Sequence, residues 1–186
     1  MPIHAHQELD RPGRHGRRGP EAPPDLRSAM RNFATGVCIA TTYADRVDRR
    51  RHDGVTVNSL TSVSLDPPLV SLCLRRGSGF LADLLKTRTW AVSILDAAAD
   101  DVARLFAKDR ATRATAIDAL RASPGHHTGA LVLDGPSWME CVLWGSFGIG
   151  DHTMVVGEVV AAGVQRRGPP LIFLHGRYHA LEGRYL

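Results

Sequence analysis

The chain has 186 residues, with 44% hydrophobic and 23% charged residues and a formal net charge of +4. That balance suits one globular domain, or one with appendages, and excludes a wholly disordered chain. No run approaches the roughly 20 apolar residues that span a bilayer, which excludes an integral membrane protein.

Residues 1–24 hold five of the 11 prolines, three glycines and three histidines with no apolar period, so a disordered tail is expected. No apolar stretch followed by a cleavage site stands there, and export by a standard signal is not expected. His4, His6 and His15 read as solvated, with weak metal binding as the alternative. The remainder, 25–186, reads as the folded domain.

Asp25 suits the N-cap of a short helix, Leu26 to Phe33, closing before Gly36. The run from Gly36 to Thr42 is apolar and β-branched on both faces, as a buried strand is. Arg49-Arg50-Arg51 follows, flanked by Asp45, Asp48 and Asp53. This dense basic run reads as a solvated loop, not a nucleic-acid patch. Val55, Val57 and Val63 favour strand, and Asp66-Pro67-Pro68 forces a break. Leu69 to Leu74 is again strand-like.

Gly77-Ser78-Gly79 opens a helix that carries Leu81, Leu84 and Leu85 on one face. Trp90 to Leu95 is a strand. Ala98, Val102, Leu105 and Phe106 form a helical stripe, and Ile117 with Leu120 marks a shorter helix. Residues 121–136 read as loop. Ser137 to Ile149 and Thr153 to Val164 are strands around a Gly150-Asp151 hairpin signal. Leu171 to Leu174 is the last strand. At least six strands with few, short helices give a mainly β fold, an antiparallel barrel with helical decoration. Cys38, Cys73 and Cys141 lie in apolar runs without CxxC spacing. They are expected to be buried free thiols in a reducing cytoplasm.

Thr56, Asn58, Ser59, Thr61, Ser62 and Ser64 crowd small hydrogen-bonding groups into nine residues between apolar strands. Composition alone favours a polar edge strand ending in an Asx or ST turn. The alternative is a binding strand for an anionic or heteroaromatic ligand, because hydroxyls and backbone N–H groups bind oxygens and ring heteroatoms without bulk. Ser78 before a helix suits an anion, and Arg75 and Arg76 stand just upstream. His152 on the hairpin and Arg177-Tyr178-His179 at the C-terminal end are ambiguous alone. GxSxG, HExxH, a P-loop and GxGxxG are absent from the sequence. His126-His127 lacks the companions of a zinc site, so no metal is expected.

Five blocks occur in order: FATGV at Phe33–Val37, TVNSLTSVSLDPPLVSLCL at Thr56–Leu74, WAVSIL at Trp90–Leu95, GDHTMVVGEV at Gly150–Val159 and PLIFLHGRYHAL at Pro170–Leu181. Together they resemble the flavin reductase-like family, the small reductase components of two-component flavin-dependent monooxygenases, from about Asp25 onward. The resemblance implies an FMN-binding split barrel and a homodimer with flavin near the subunit interface. It implies an NAD(P)H:flavin oxidoreductase that uses NADH or NADPH and passes reduced FMN or FAD to a separate monooxygenase in the cytoplasm. Membrane or nucleic-acid partners are not implied. Two other readings of the same barrel stay open: a ferric or corrinoid reductase, and a flavin carrier without turnover.

By position in these blocks, Asn58 and Ser59 would follow the isoalloxazine edge, with Thr56 and Thr61 also among the cofactor-binding residues. Ser62, Val63 and Ser64 would approach the ribityl chain and phosphate, and Ser78 and its neighbours, with Arg75 among the cofactor-binding residues, would complete the phosphate site. His152 falls in the family's nicotinamide motif, and Arg177, Tyr178 and His179 fall near the same pocket. No catalytic acid or base is implied. The chain departs from the family pattern where Ala111 follows Asp109-Arg110 in place of an aromatic residue, and in the length of the loop at 46–51.

Overall fold

A computed structural model describes residues 25–181. The expected tail at 1–24, with its three histidines, lies outside the described residues. The elements in chain order are α1 (Leu26–Met30), β1 (Thr35–Gly36), β2 (Cys38–Asp45), β3 (Arg50–Val57), β4 (Thr61–Leu65), β5 (Pro68–Arg75), α2 (Gly79–Thr87), β6 (Thr89–Ile94), α3 (Asp100–Phe106), α4 (Arg110–Ala116), β7 (Ala122–Pro124), β8 (Leu131–Leu133), β9 (Ser137–Ile149), β10 (His152–Val164), β11 (Leu171–Leu174) and β12 (Arg177–Ala180). Short 3-10 turns at Ala97–Ala99 and Ile117–Ala119 join the helices.

Seven strands form one antiparallel sheet in the order β3-β2-β6-β9-β10-β5-β4, and β1-β11-β12 and β7-β8 form two smaller sheets. The edges of the large sheet, β3 and β4, are consecutive in the chain. Residues 58–60 therefore bridge its two ends, and the polar segment singled out above lies across that gap.

Strand β2 is buried from Cys38 to Ala44 because it is covered on both faces. Cys38 and Ala40 join a core with Leu72, Phe80, Leu84, Trp90 and Val155. Ile39 faces a second core with Leu95, Phe106, Ile117 and Leu171. Alternation along the strand sends neighbours to opposite sides. Burying each large side chain removes apolar surface worth about 1.5–3 kcal/mol. Gly157 makes room for the Trp90 indole, since a Cβ there would run into its six-membered ring.

Local signals hold at several helix and turn positions. Asp25 caps α1 by accepting the Ser28 N–H at 3.0 Å, although the helix proper stops at Met30, short of Phe33. The Gly150-Asp151 hairpin forms with Gly150 at φ +58°, pairing Ile149 with His152. His175 and Gly176, both at positive φ, turn β11 into β12, so Leu171 to Leu174 is not the last strand.

Other expectations are corrected. Arg50 and Arg51 are not loop: they open β3, and the Arg50 guanidinium lies 3.7 Å from the Tyr43 ring centroid with a 2.9 Å bond to Asp45. Stacking and ion pairing favour the extended backbone that charge density alone argues against. The helix expected around Ile117–Leu120 begins earlier, at Arg110, and the supposed loop at 121–136 contains β7 and β8. All three cysteines are free, yet only Cys38 and Cys141 are buried, and Cys73 is exposed. Its neighbours Leu72 and Leu74 take the core face of β5, which turns Cys73 outward. Burial pushes the Cys38 and Cys141 thiols up to about 12.

Candidate functional site

The bridge between the sheet edges opens a cavity of about 340 Å³. Thr56 comes from the end of β3, Asn58 and Ser59 from the crossing segment, Cys73 and Arg75 from β5, Ser78 from the start of α2 and His152 from the hairpin tip. Residues separated by nearly a hundred positions meet because β10 pairs antiparallel with β5, setting His152 opposite Arg75. Six residues expected at the site, Thr56, Asn58, Ser59, Arg75, Ser78 and His152, thus line one space.

Their hydrogen bonds separate them into two groups. The Thr56 hydroxyl donates to the Ala103 carbonyl at 2.6 Å, tying β3 to α3. Ser59 Oγ accepts the Cys73 N–H at 3.1 Å and donates to the Cys73 carbonyl at 3.3 Å, so it fastens the crossing segment to β5. These two hydroxyls are structural fasteners that also face the cavity. Among the described residues the Asn58 side chain makes no hydrogen bond; its amide presents both donors and an acceptor.

Ser78 caps α2 by accepting the Leu81 N–H at 3.2 Å. The first turn of this nine-residue helix therefore points at the cavity with the positive end of its dipole. Arg110 crosses over Gly79, where any Cβ would collide with its guanidinium. It pairs there with Asp83 and, at 3.3 Å, with Asp53. Arg113 completes the cluster by donating Nε and Nη2 to Asp53 at 3.2 Å each. Asp109, next in the unusual Asp-Arg-Ala sequence, caps α4. This region lacks the family's aromatic residue but has a filled ion network.

At the hairpin tip, His152 Nδ1 lies 2.8 Å from Asp151 Oδ1. The bond to the imidazole, then the charge interaction, holds the Asp151 carboxyl below its ordinary range. A carboxylate only accepts, so the proton sits on Nδ1, and Nε2 is the ring nitrogen left for a ligand.

Asn58 also lines two adjoining cavities. One, of about 130 Å³, is walled by Val37, Thr56, Ala107, Phe173 and Tyr178. The other, of about 400 Å³, runs between α1 and the β11–β12 turn. Tyr178 packs on Phe173 at 5.5 Å and lies under the Arg104 guanidinium at 5.1 Å. Burial raises its phenol above the usual range.

The remaining expected residues stand apart from the 340 Å³ cavity. Thr61, Ser62, Val63 and Ser64 lie on the edge strand β4, with a bulge between Ser62 and Ser64 that leaves Val63 exposed. Arg177 and His179 are exposed on β12, and His179 Nε2 bonds the Leu174 carbonyl at 3.2 Å. Cys73 and Phe80 line the cavity without having been expected there. Strand alternation carried the signal for Cys73, which shares a face with Arg75. The described residues contain no group of three or more metal-ligating side chains, and none of their helices is long and apolar enough to cross a membrane.

The model of the family described as flavin reductase like domain matches residues 30–182. The NADH-dependent FAD reductase of Streptomyces globisporus is 33% identical over 172 residues, which are 89% of this chain and 92% of that protein. The crystal structure of BorF, the flavin reductase component of a bacterial two-component tryptophan halogenase, has a TM-score of 0.78 and 35% identity over 86% of this chain and 98% of that one. SgcE6, the NADH:FAD oxidoreductase of Streptomyces globisporus C-1027 solved in complex with NAD and FAD fragments, has a TM-score of 0.76 and 31% identity, covering 84% and 91% of the two chains.

Proposed function

Because the chain belongs to the flavin reductase-like family, we propose that it is an NAD(P)H-dependent flavin reductase that supplies reduced FMN or FAD to a partner monooxygenase. The observation that carries this reading is the convergence of Asn58, Arg75, Ser78 and His152 on one cavity in a chain of this family.

The residues present fit a flavin nucleotide. Arg75 and the start of α2 at Ser78 supply cationic and N–H groups for a phosphate. Asn58 supplies donors and an acceptor for the edge of a heteroaromatic ring. Hydride transfer between nicotinamide and flavin is the chemistry that the two bound groups bring with them. The protein's share is orientation, since two rings held in register react far faster than two free in solution. Asn58 and the backbone beside it hold one ring edge. His152, through Nε2, would hold and orient the nicotinamide nucleotide. The cavity is open, as a site must be whose product leaves for another protein.

Further parts of the proposal rest on the family. Residues 25–186 act as one split-barrel domain, and 1–24 are a dispensable tail. Thr61, Ser62, Val63 and Ser64 on the sheet edge, with Arg177, Tyr178 and His179, serve the flavin site of a homodimer. The protein works in the cytoplasm, where its thiols stay reduced. Light scattering at micromolar concentration is expected to give a dimer.

The deciding experiment is oxidation of NADH and NADPH with and without added FMN or FAD. Oxidation that depends on flavin is the expected result. A yellow protein that retains flavin without turnover would replace the reductase by a carrier.

A further inference from the structure

We infer that Arg76 is a positioning residue for nicotinamide binding: it locks the β9–β10 hairpin tip, and with it the ring of His152, against the end of β5. The inference rests on the reading of His152 as a nicotinamide ligand. Arg75 and Arg76 look interchangeable in the sequence, but Arg75 lines the cavity, whereas Arg76 grips the tip at three places. Its backbone N–H donates to the Asp151 carbonyl at 3.0 Å. Its Nε donates to the His152 carbonyl at 3.3 Å. The end of its guanidinium occupies the space that a Cβ on Gly148 would fill.

These contacts matter because of where the tip stands. Pairing with β5 ends at the His152–Arg75 register, so beyond it Gly150 and Asp151 have no neighbouring strand. The Asp151–His152 bond orients the imidazole relative to the tip, but nothing in that bond orients the tip relative to the cavity. Arg76 supplies that second constraint. A lysine could not: it has no N–H at that point of the side chain to donate to the His152 carbonyl.

The test uses the full-length protein and steady-state kinetics at saturating flavin. Arg76→Ala keeps the backbone bond to Asp151 and is expected to raise KM for NADH roughly three- to tenfold, the effect of one lost hydrogen bond. Flavin affinity by titration and kcat at saturating NADH are expected to stay near wild type. Gly148→Ala supplies an independent route, since its methyl displaces only the flexible end of Arg76. It is expected to raise KM in the same direction, and the double variant to be no worse than Arg76→Ala alone. Arg76→Lys should not restore the wild-type KM. Imidazole nitrogen NMR signals of His152 are expected to shift in both single variants.

A wild-type KM and an unshifted His152 spectrum in Arg76→Ala would overturn the inference, as would additive effects in the double variant. Equal losses of flavin and NADH binding, with a lower Tm, would reduce Arg76 to a structural role. If His152→Ala raises KM and Arg76→Ala does not, the inference alone fails. If His152→Ala leaves KM unchanged, the reading of His152 fails and takes the inference with it.

Discussion

Two cavities on this molecule differ in what their polar groups are doing. The larger, about 600 Å³, lies beside β7 and β8 and is lined by Trp138, Glu140, Arg121 and Gln165. Its most buried polar group, Glu140, is committed to structure through Oε2, which accepts the His127 and Thr128 N–H groups at 3.0 and 2.7 Å and the Thr128 hydroxyl at 2.7 Å. The smaller cavity, at the gap between β3 and β4, has Asn58, Arg75 and His152 Nε2 left over after the fold is built. The larger cavity also holds side chains without hydrogen bonds among the described residues, Arg121, Ser123, His126 and Asp134, so neither volume nor spare polar groups alone mark a site. The smaller cavity is distinguished by gathering residues from separate sequence blocks.

The sharpest way to test that contrast is to remove a committed group. Glu140→Ala would leave two buried Thr128 donors and the part-buried His127 N–H without their acceptor, and it is expected to cost about 3–5 kcal/mol of stability. Denaturant unfolding measures this, and the fraction that stays folded should bind flavin as wild type does. A marginal loss would mean that Glu140 is no more committed than Asn58.

The counterpart on the smaller cavity is Ser78→Asp. Aspartate caps a helix as well as serine does, so stability should hold. Its charge would face the phosphate across a few ångströms, expected to cost roughly 2–3 kcal/mol, or on the order of a hundredfold in flavin affinity. Unchanged affinity in a flavin titration would remove the start of α2 from the site. A fall in stability instead would mean that Ser78 belongs with the committed groups.

His152→Ala comes next in size. Losing one hydrogen bond to the nicotinamide nucleotide is expected to cost about 1–3 kcal/mol, seen as a higher KM for NADH with flavin affinity nearly intact. If both ligands weaken together, the ring is another structural part of the turn.

The same distinction explains what the sequence revealed. Asp25, Ser78 and Gly150-Asp151 were legible because a cap or a two-residue turn is decided within four residues. The alternating strands were legible because period two survives wherever one face is buried. The start of α4 carries a local cap, Asp109 on the Thr112 N–H, but the helix has no apolar stripe to go with it, because it is held by the ion pair of Arg113 with Asp53, sixty residues away. Arg50 looked like loop for a related reason: its partners, the Tyr43 ring and Asp45, lie across a hairpin. At the site, residue types pointed to Asn58, Ser78 and His152. That Thr56 and Ser59 spend their hydroxyls on Ala103 and Cys73, and that Arg75 and Arg76 part ways, depends on pairing registers that residue types do not encode.

The smallest expected effect belongs to the structural side and concerns pH. His52 sits on β3 against the edge of the Tyr43 ring, with centroids 5.9 Å apart, and its Nδ1 is buried without a hydrogen-bond partner among the described residues. Burial first, then the positive charge of Arg50, lowers its pKa, while Asp118 and Asp45 oppose the shift. The native state therefore favours the neutral ring, and the unfolded chain binds a proton at higher pH than the folded one. The contribution is fully present above the unfolded value, near 6.5, and is lost as pH falls through that value toward the lowered one. The half-exposed position and solvent screening keep it modest. His52→Phe preserves an aromatic edge on Tyr43 and removes the titration. Denaturant unfolding at pH 7.5 and 5.5 is expected to show wild type losing more stability on acidification than His52→Phe, while flavin affinity responds alike in both. A steeper acid loss in the variant would reverse the sign. Parallel loss in the two proteins would leave His52 without a part in the acid response.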